Sequence, residues 1–429
     1  MKTSRIPLIL ALLFTCTIIH PVVGQTPNST ATAAPDHMTL TWTGDPATTM
    51  TVTWRTDSTV SSGVVQYQQG NKLSDKALHA EAEALDFKTD LGLTRIFSST
   101  LTGLSPNTEY AYRVGDGDHW SESHSFKTAD PEVKNFKFLV FGDSQSSVTG
   151  SDPYGLWRET VHNAFDANPD ARFIVNVGDL VDFGQDEAHW NAWFGASKGI
   201  IDTIPAMAVP GNHESYGMRQ IGKPVFFTKQ FFLPPNGPPS LKNQVYSYNY
   251  GPIHFVVLDS QGVEQKRYGD ILSIQQSWLE SDLNTSNAPW TIAFFHRAPY
   301  GVKLNRDETE IKNAFCPILE RHHVDLVFNG HDHGIKRTYP IKNGLPVDNP
   351  SQGTIYYVTG RSGAKTYEDI EEKEYSAFFY APLEQPNYLV VEGTDQKMTI
   401  KTVLQDGTVI DTLELEKPES ANPARGMPF

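Results

Sequence analysis

Seven apolar runs recur from Phe136 onward: FKFLVFGD, RFIVNVGD, IPAMAVPGN, HFVVLDS, WTIAFFH, VDLVFNGHDH and GTIYYVTG. Each is nearly continuous rather than alternating, as strands buried on both faces require. Helical patterns lie between them, at Tyr154 to Ala167, Asp186 to Trp193 and Ile271 to Leu283. The last of these puts Ile274, Trp278 and Leu279 on one face. Strand–helix alternation of this kind specifies a layered α/β domain. Tyr388 to Glu392, Met398 to Val403 and Val409 to Leu415 read as antiparallel strands that finish the sheets.

The chain has 429 residues, more than one average domain needs. A polar stretch, Thr26 to Asp36, precedes a region of different grammar. Residues 38–130 read as short alternating strands with turn residues between them. The expected strands are Met38–Trp42, Met50–Thr56, Gly63–Gln68, Arg95–Leu101, Tyr110–Val114 and Ser123–Thr128. LSPNTEYAYRV, Leu104 to Val114, is similar to the fibronectin type III pattern, in which a tyrosine bonds back to the chain. Tyr110 or Tyr112 would fill that place, and an immunoglobulin-like sandwich follows. The expected boundaries are 25–37 for the polar segment, 38–130 for this fibronectin type III-like domain, 136–416 for the α/β domain and 417–429 for a tail.

Lys2 and Arg5 precede an apolar stretch from Ile6 to Ile19, with Val22-Val23-Gly24 before Gln25. Residues 1–24 therefore read as a signal peptide cleaved near Gly24, too short for a membrane span, and the protein is expected to be secreted, extracellular or periplasmic. Cleavage would remove two positive charges and no negative ones, moving the net charge from −15 to −17. That acidity argues against nucleic acid and anionic lipid as partners. It leaves a small anionic substrate possible, because metals in a pocket override net charge locally. Cys16 falls within the apolar stretch, so cleavage leaves Cys316 alone. Cys316 lies in AFCPILE, where a buried, inert thiol is expected.

Five of the apolar runs end in polar strings: FGDSQ, VGDLVD, PGNHE, FFHRAPY and NGHDH. They supply Asp143, Asp179, Asn212, His213, His296, His331 and His333. A lone strand-end Asp is ordinarily a helix N-cap, and a lone His a satisfied core residue. The ordered set is different, because ligands in open α/β sheets bind outside the carboxyl ends of the strands. Carboxylates, an asparagine and imidazoles gathered there suit two divalent cations about 3.5–4 Å apart, one carboxylate bridging. His162, His189, His322 and His323 carry no assignment, the last two lying at the end of an expected helix.

With the N-terminal sandwich, YSYNYGPIHFVVLDS (Tyr246 to Ser260), QQSWLESDL leading to APWTIAFFHRAPY, and VDLVFNGHDH, the set resembles the calcineurin-like metallophosphoesterases, and among them the purple acid phosphatases. The resemblance implies a four-layer α/β sandwich, two mixed sheets flanked by helices, behind the all-β domain. It implies two divalent metal ions drawn from Fe, Mn, Zn or Mg. Asp143 and His333 would bind the first, Asp179 would bridge, and Asn212, His296 and His331 would complete the second. His213 would contact the substrate. Two positions depart from the pattern. Asp182 stands where purple members have a tyrosine, and Gln145 where other calcineurin-like enzymes have a histidine. Either Gln145 or Asp182 substitutes through oxygen, or water does. A site so rich in hard oxygen favours Mn, Fe(II) or Mg, so the enzyme is expected to be colourless. Arg306 stands near the place of paired histidines in plant relatives, as a binder of a phosphate oxygen or as a solvated arginine.

The expected activity is phosphate monoester hydrolysis by a metal-bound hydroxide, formed by lowering the pKa of bound water toward about 7. His213 would orient the substrate and protonate the leaving alkoxide. The alternatives are a phosphodiesterase or nucleotide pyrophosphatase on the same metals, and a surface binding protein with a structural metal site. PVFFTKQFFLPPNGPP, which follows His213, either walls the pocket or packs on its own aromatics.

Overall fold

From Phe136 onward two mixed sheets face each other. The first has six strands, in the order Ala206–Ala208, Ala171–Asn176, Phe136–Phe141, Asn387–Gly393, Lys397–Leu404 and Val409–Glu416. Its first three strands run parallel and the remainder antiparallel. The second has seven, in the order Tyr246–Tyr250, Ile253–Val257, Trp290–Phe294, Leu326–Asn329, Ile355–Thr359, Ile335–Thr338 and Ser376–Tyr380. Four central strands there are parallel. This computed structural model describes residues 27–217, 221–306, 308–381 and 384–417. The expected signal segment 1–24, with Cys16, and all but the first residue of the tail 417–429 lie outside the described residues.

Alternation along the parallel strands sorts their side chains into two cores. Phe255, Val257, Ile292, Phe294, Leu326 and Phe328 point between the sheets, where Phe255 meets Phe138 and Phe173 edge-on. Val256, Ala293, Phe295 and Val327 point the other way, onto helices Ile271–Thr285 and Thr309–Arg321. Helices Gly155–Ala167 and Glu187–Ser197 pair through stacked Trp157 and Trp193, with Phe141 against Trp157. Each of the seven apolar runs is a strand buried on both faces.

The helix at Ile271 differs from its expected face. Leu272, Gln275, Leu279 and Leu283 are buried, whereas Ile274 is exposed and Trp278 only partly covered. The cause is Gln275, whose amide bonds both the N–H and the C=O of Asp259 at 2.8 Å. A buried amide with both ends satisfied turns the helix onto that face. Cys316 is buried as expected, and burial pushes its thiol up to about 12.

The N-terminal region is a sandwich of two four-stranded antiparallel sheets. All six expected strands are present. Two more, Leu78–Glu81 and Glu83–Lys88, form one edge of each sheet; they are mostly solvent-exposed and carry no clear alternation. Ser105 N–H donates to the Tyr110 hydroxyl at 2.8 Å, so Tyr110 makes the bond back to the chain. Tyr112 instead donates to the Asp202 carbonyl at 2.6 Å, across to the α/β domain.

That crossing is one of several. Trp42, 1% exposed, packs on Phe173, Tyr248 and Tyr250. His37 stacks on Phe194, and Leu40 N–H donates to Ile201 O at 2.8 Å. Phe226, Phe227 and Phe231, from the segment that follows His213, are buried in the same core, Phe226 edge-on to Phe87 of the sandwich. The aromatics of that segment therefore fasten the two domains.

Arg55, from strand Met50–Asp57, is the polar centre of this interface. It holds Asp36 at 2.6 Å and Glu187 at 2.5 Å with all but 1% of its surface covered. Arg55→Met would leave Glu187 buried without its cation, a loss of about 3–5 kcal/mol. We expect denaturant unfolding to show that loss in the single variant and to recover part of it when Glu187→Leu is added.

Candidate metal centre

The ligand-bearing loops begin where the parallel strands stop. Asp143, Asp179, His331 and His333 all have left-handed backbone, with φ of 53°, 53°, 75° and 57°. Residues with a Cβ adopt that region at a cost, and such strain gathers at functional sites. Two glycines make room for the same carboxylates. A Cβ on Gly211 would lie 2.2 Å from Asp179 Oδ1, and one on Gly330 would lie 2.4 Å from Asp143 Oδ2. The Gly-Asn and Gly-His dipeptides thus reflect a side chain pressed against bare backbone.

Two groups of buried donors result, Asp143–Asp179–His333 and Asp179–His296–His331, with Asp179 in both. His296 Nε2 lies 3.0 Å from Asp179 Oδ2, 3.2 Å from His331 Nδ1 and 3.2 Å from Asn212 Oδ1. His333 Nε2 lies 3.2 Å from Asp143 Oδ1. The sequence-predicted ligands therefore converge from both sheets, and the two histidines of NGHDH point into different groups.

The far nitrogen of each ring fixes its tautomer. His296 Nδ1 donates to Val177 O at 2.9 Å, and His333 Nδ1 to Lys365 O at 2.7 Å. His331 Nε2 lies 3.1 Å from Arg297 Nη1, which can only donate, and 3.4 Å from Glu308 Oε1. In their neutral forms His296 and His333 therefore turn a lone pair inward. His296 Nε2 stands 3.2 Å from both His331 Nδ1 and Asn212 Oδ1. A cation among them would suit these spacings, since donors about 3.0–3.4 Å apart fit metal–ligand bonds of about 2.1 Å. The residues fit a dinuclear metal centre.

Electrostatics agree. Burial works against the charge on Asp179, yet the His296 and His213 imidazoles hold it well below the usual carboxylate range. Burial likewise opposes the charge of His296, but Asp179 lifts it to about 9. Burial keeps His331 far below the ordinary histidine value, aided by His296 and Arg297. This cluster attracts positive charge.

His213 stands beside the donors, its Nε2 3.9 Å from Asp179 Oδ2. Its Nδ1 donates to Asp182 O at 2.7 Å, with Asp182 Oδ1 at 3.3 Å. Lys365 Nζ reaches Nε2 at 2.9 Å. Arg306 directs Nη1 to Asp332 Oδ1 at 2.6 Å and to His331 O at 2.8 Å, which braces the NGHDH loop. His322 pairs with Glu280 at 2.6 Å at the end of its helix, and buried His189 meets Tyr154, both away from the donor groups. Sequence reasoning missed Lys365, Glu308 and Glu214. Lys365 and Glu308 lie in stretches with no strand-end string to mark them, whereas Glu214 closes the PGNHE string.

Glu214 ties the loops together. Oε2 accepts the N–H groups of Asp179 and Gly211 at 2.9 and 2.6 Å, and Oε1 those of Leu180 and Val181 at 2.8 and 3.3 Å. Burial, then Asp179, push its carboxyl up to about 7, against those four donors. Glu214→Gln would turn an NH₂ toward two of the N–H groups and orphan them. The expected loss is about 2–5 kcal/mol, measurable by urea unfolding in excess chelator so that metal release does not contribute.

Comparison with known proteins places this geometry. A family model described as the purple acid phosphatase N-terminal domain matches residues 35–128, and one described as calcineurin-like phosphoesterase matches residues 136–334. Acid phosphatase type 7 of Mus musculus is 26% identical, covering 90% of this chain and 91% of its own. Purple acid phosphatase 15 of Arabidopsis thaliana is also 26% identical, over 67% of this chain and 57% of its own. A purple acid phosphatase structure from yellow lupin (Lupinus luteus) seeds shares the fold, with a TM-score of 0.74 at 21% identity, over 90% of this chain and 74% of that one. No helix among the described residues is long and apolar enough to cross a membrane. The chain thus carries a purple acid phosphatase N-terminal domain followed by a calcineurin-like phosphoesterase domain, and its relatives and fold support a dinuclear-metal phosphoesterase.

Proposed function

We propose that this protein is a secreted phosphatase acting on phosphate monoesters at the centre built around Asp179. The observation that carries this reading is the convergence of buried carboxylate and imidazole groups from both sheets on one shared carboxylate. In this reading Asp143 and His333 hold the first cation, Asn212, His296 and His331 the second, and Asp179 both. Two bound divalent cations supply an activated water and neutralise charge on the phosphoryl oxygens. Secretion rests on the basic residues Lys2 and Arg5 ahead of the apolar stretch Ile6 to Ile19.

The protein's own groups do the remainder. Asp179 and Asp182 raise the pKa of His213 despite burial and the opposing Lys365, which favours the form that donates a proton. His213 Nε2, which accepts from the Lys365 ammonium here, faces the donor groups and delivers that proton to the leaving alkoxide once the lysine turns to the substrate. Lys365 meets a non-bridging phosphoryl oxygen beside it, while Arg306 adds positive charge from the base of the loop. A monoester dianion offers three non-bridging oxygens and so occupies the two cations and Lys365 at once, while its ester oxygen faces His213. A diester monoanion has one fewer, which supports the monoester reading.

Rates on p-nitrophenyl phosphate and on its bis-ester test this directly. Monoester turnover is expected to exceed diester turnover by at least about tenfold, one lost charged contact. Turnover of the diester alone would make the protein a phosphodiesterase.

Lys365→Ala is expected to lower kcat/KM about 10- to 100-fold, mainly through KM, with a parallel weakening of inhibition by inorganic phosphate. His213→Ala should instead lower kcat, by about 10²–10⁴-fold. Steady-state kinetics on both variants separate the two roles.

A further inference from the structure

The first donor group is one protein ligand short of the second, and Gln145 lies against it. Its side chain is fully buried. The loop that carries it is fixed at both ends, since Gln145 N–H donates to Asp179 O at 3.1 Å and Ala364 N–H donates to Gln145 O at 3.2 Å. Of the two orientations of its amide, only one pairs the outer end. In that orientation the nitrogen donates to the carbonyl oxygens of Asp143 and Asp179, at 3.2 and 3.0 Å. The other orientation would press an amide oxygen onto two carbonyl oxygens in a buried place, with its N–H groups 3.4 Å from Asp179 Oδ2 and 3.3 Å from His333 Nε2.

The satisfied orientation sends Oε1 inward. The inward amide position lies 3.4 Å from Asp179 Oδ2 and 3.3 Å from His333 Nε2. His333 Nδ1 already donates to Lys365 O, so Nε2 carries a lone pair. Asp143 Oδ1 is 3.2 Å from the same nitrogen. Electron pairs from Gln145, Asp179, His333 and Asp143 thus meet with no hydrogen among them. Asp182, the other oxygen that the sequence offers, is engaged elsewhere, with Oδ1 at 3.3 Å from His213 and 3.6 Å from Lys365.

We propose that Gln145 ligates the first cation through its side-chain carbonyl oxygen, making that site Asp143, Asp179, His333 and Gln145. The inference rests on the dinuclear reading of the centre and adds a residue to it. A neutral amide brings a hard oxygen without a third negative charge. The site then suits a divalent ion that prefers oxygen, such as Mn²⁺ or Fe²⁺, over a trivalent one.

Calorimetric titration of the metal-free full-length chain with Mn²⁺ tests the proposal without reference to turnover. The parent is expected to take up two ions. Gln145→Leu should weaken one binding event about 10- to 100-fold and leave the other within about twofold. Gln145→His, which restores a donor at that place, should recover most of the loss. Two ions bound by Gln145→Leu with parental affinities would overturn the assignment and leave the dinuclear centre standing. Fewer than two ions on the parent would instead remove the centre itself. If Gln145→Leu does not fold, crystals of the unaltered protein grown with Mn²⁺ decide the matter. Oε1 within about 2.3 Å of the ion supports the proposal, and Oε1 outside bonding distance overturns it.

Discussion

One carboxylate organises this molecule. Asp179 stands at the end of a strand in the six-stranded sheet, yet its Oδ2 lies 3.0 Å from His296, which comes from the opposite sheet. The same group belongs to both buried donor sets. Holding it there needs a left-handed backbone, a glycine at position 211 with no Cβ to intrude, and Glu214 accepting the N–H groups of both loops. The left-handed backbone and the crowded glycine cost stability and suit a site for positive charge, whereas Glu214 holds the loops whether or not a cation is bound.

The imidazoles show the same logic at the level of protons. A neutral histidine offers one lone pair, and the acceptor on its far nitrogen decides where that pair points. Val177 and Lys365 supply main-chain oxygens for His296 and His333, while Arg297 Nη1 at 3.1 Å and Glu308 Oε1 at 3.4 Å share the far nitrogen of His331. Lys365 and Glu308 come from loops that contribute no ligand of their own. Arg297 then binds Glu308 and Glu264 at 2.8 and 2.7 Å, so the acidic partner of His331 is itself neutralised. Lys365 does two things from one residue: its carbonyl fixes His333 while its ammonium group reaches His213.

The sandwich serves the centre indirectly. It buries Trp42 and Arg55 against the α/β domain, and Tyr112 bonds across to Asp202. Glu187, which Arg55 holds, begins the helix whose Trp193 stacks on Trp157 and donates to Ser144 Oγ at 3.0 Å, next to Asp143. A continuous set of packed side chains therefore runs from the interface to the first donor loop. The aromatic segment that follows His213 belongs to this interface, where Phe226 and Phe231 fill the shared core.

Much of this was legible from residues alone. Continuous apolar runs fix buried strands because both faces must be apolar, and a polar string at the end of each run marks the place where a sheet meets solvent. Asp143, Asp179, Asn212, His296, His331 and His333 stood out as candidate donors for that reason, and the layered α/β class followed from the same runs, while the four-layer sandwich followed from the family resemblance. Edge strands such as Glu83–Lys88 were not, since a solvent-facing strand carries no obligatory pattern. Nor was the buried face of the helix at Ile271, which an amide bond from Gln275 settles. The partners of the site depend on contacts between residues far apart in the chain. Lys365 is 152 positions from His213, and the orientation of Gln145 depends on two carbonyls that only folding brings together. The sequence by itself determined which atoms could bind cations and the ends of which strands carry them. Tertiary structure decided how those atoms are shared, which protons they lack and which neighbours hold them, because each of these is a matter of distance between chain segments rather than of composition.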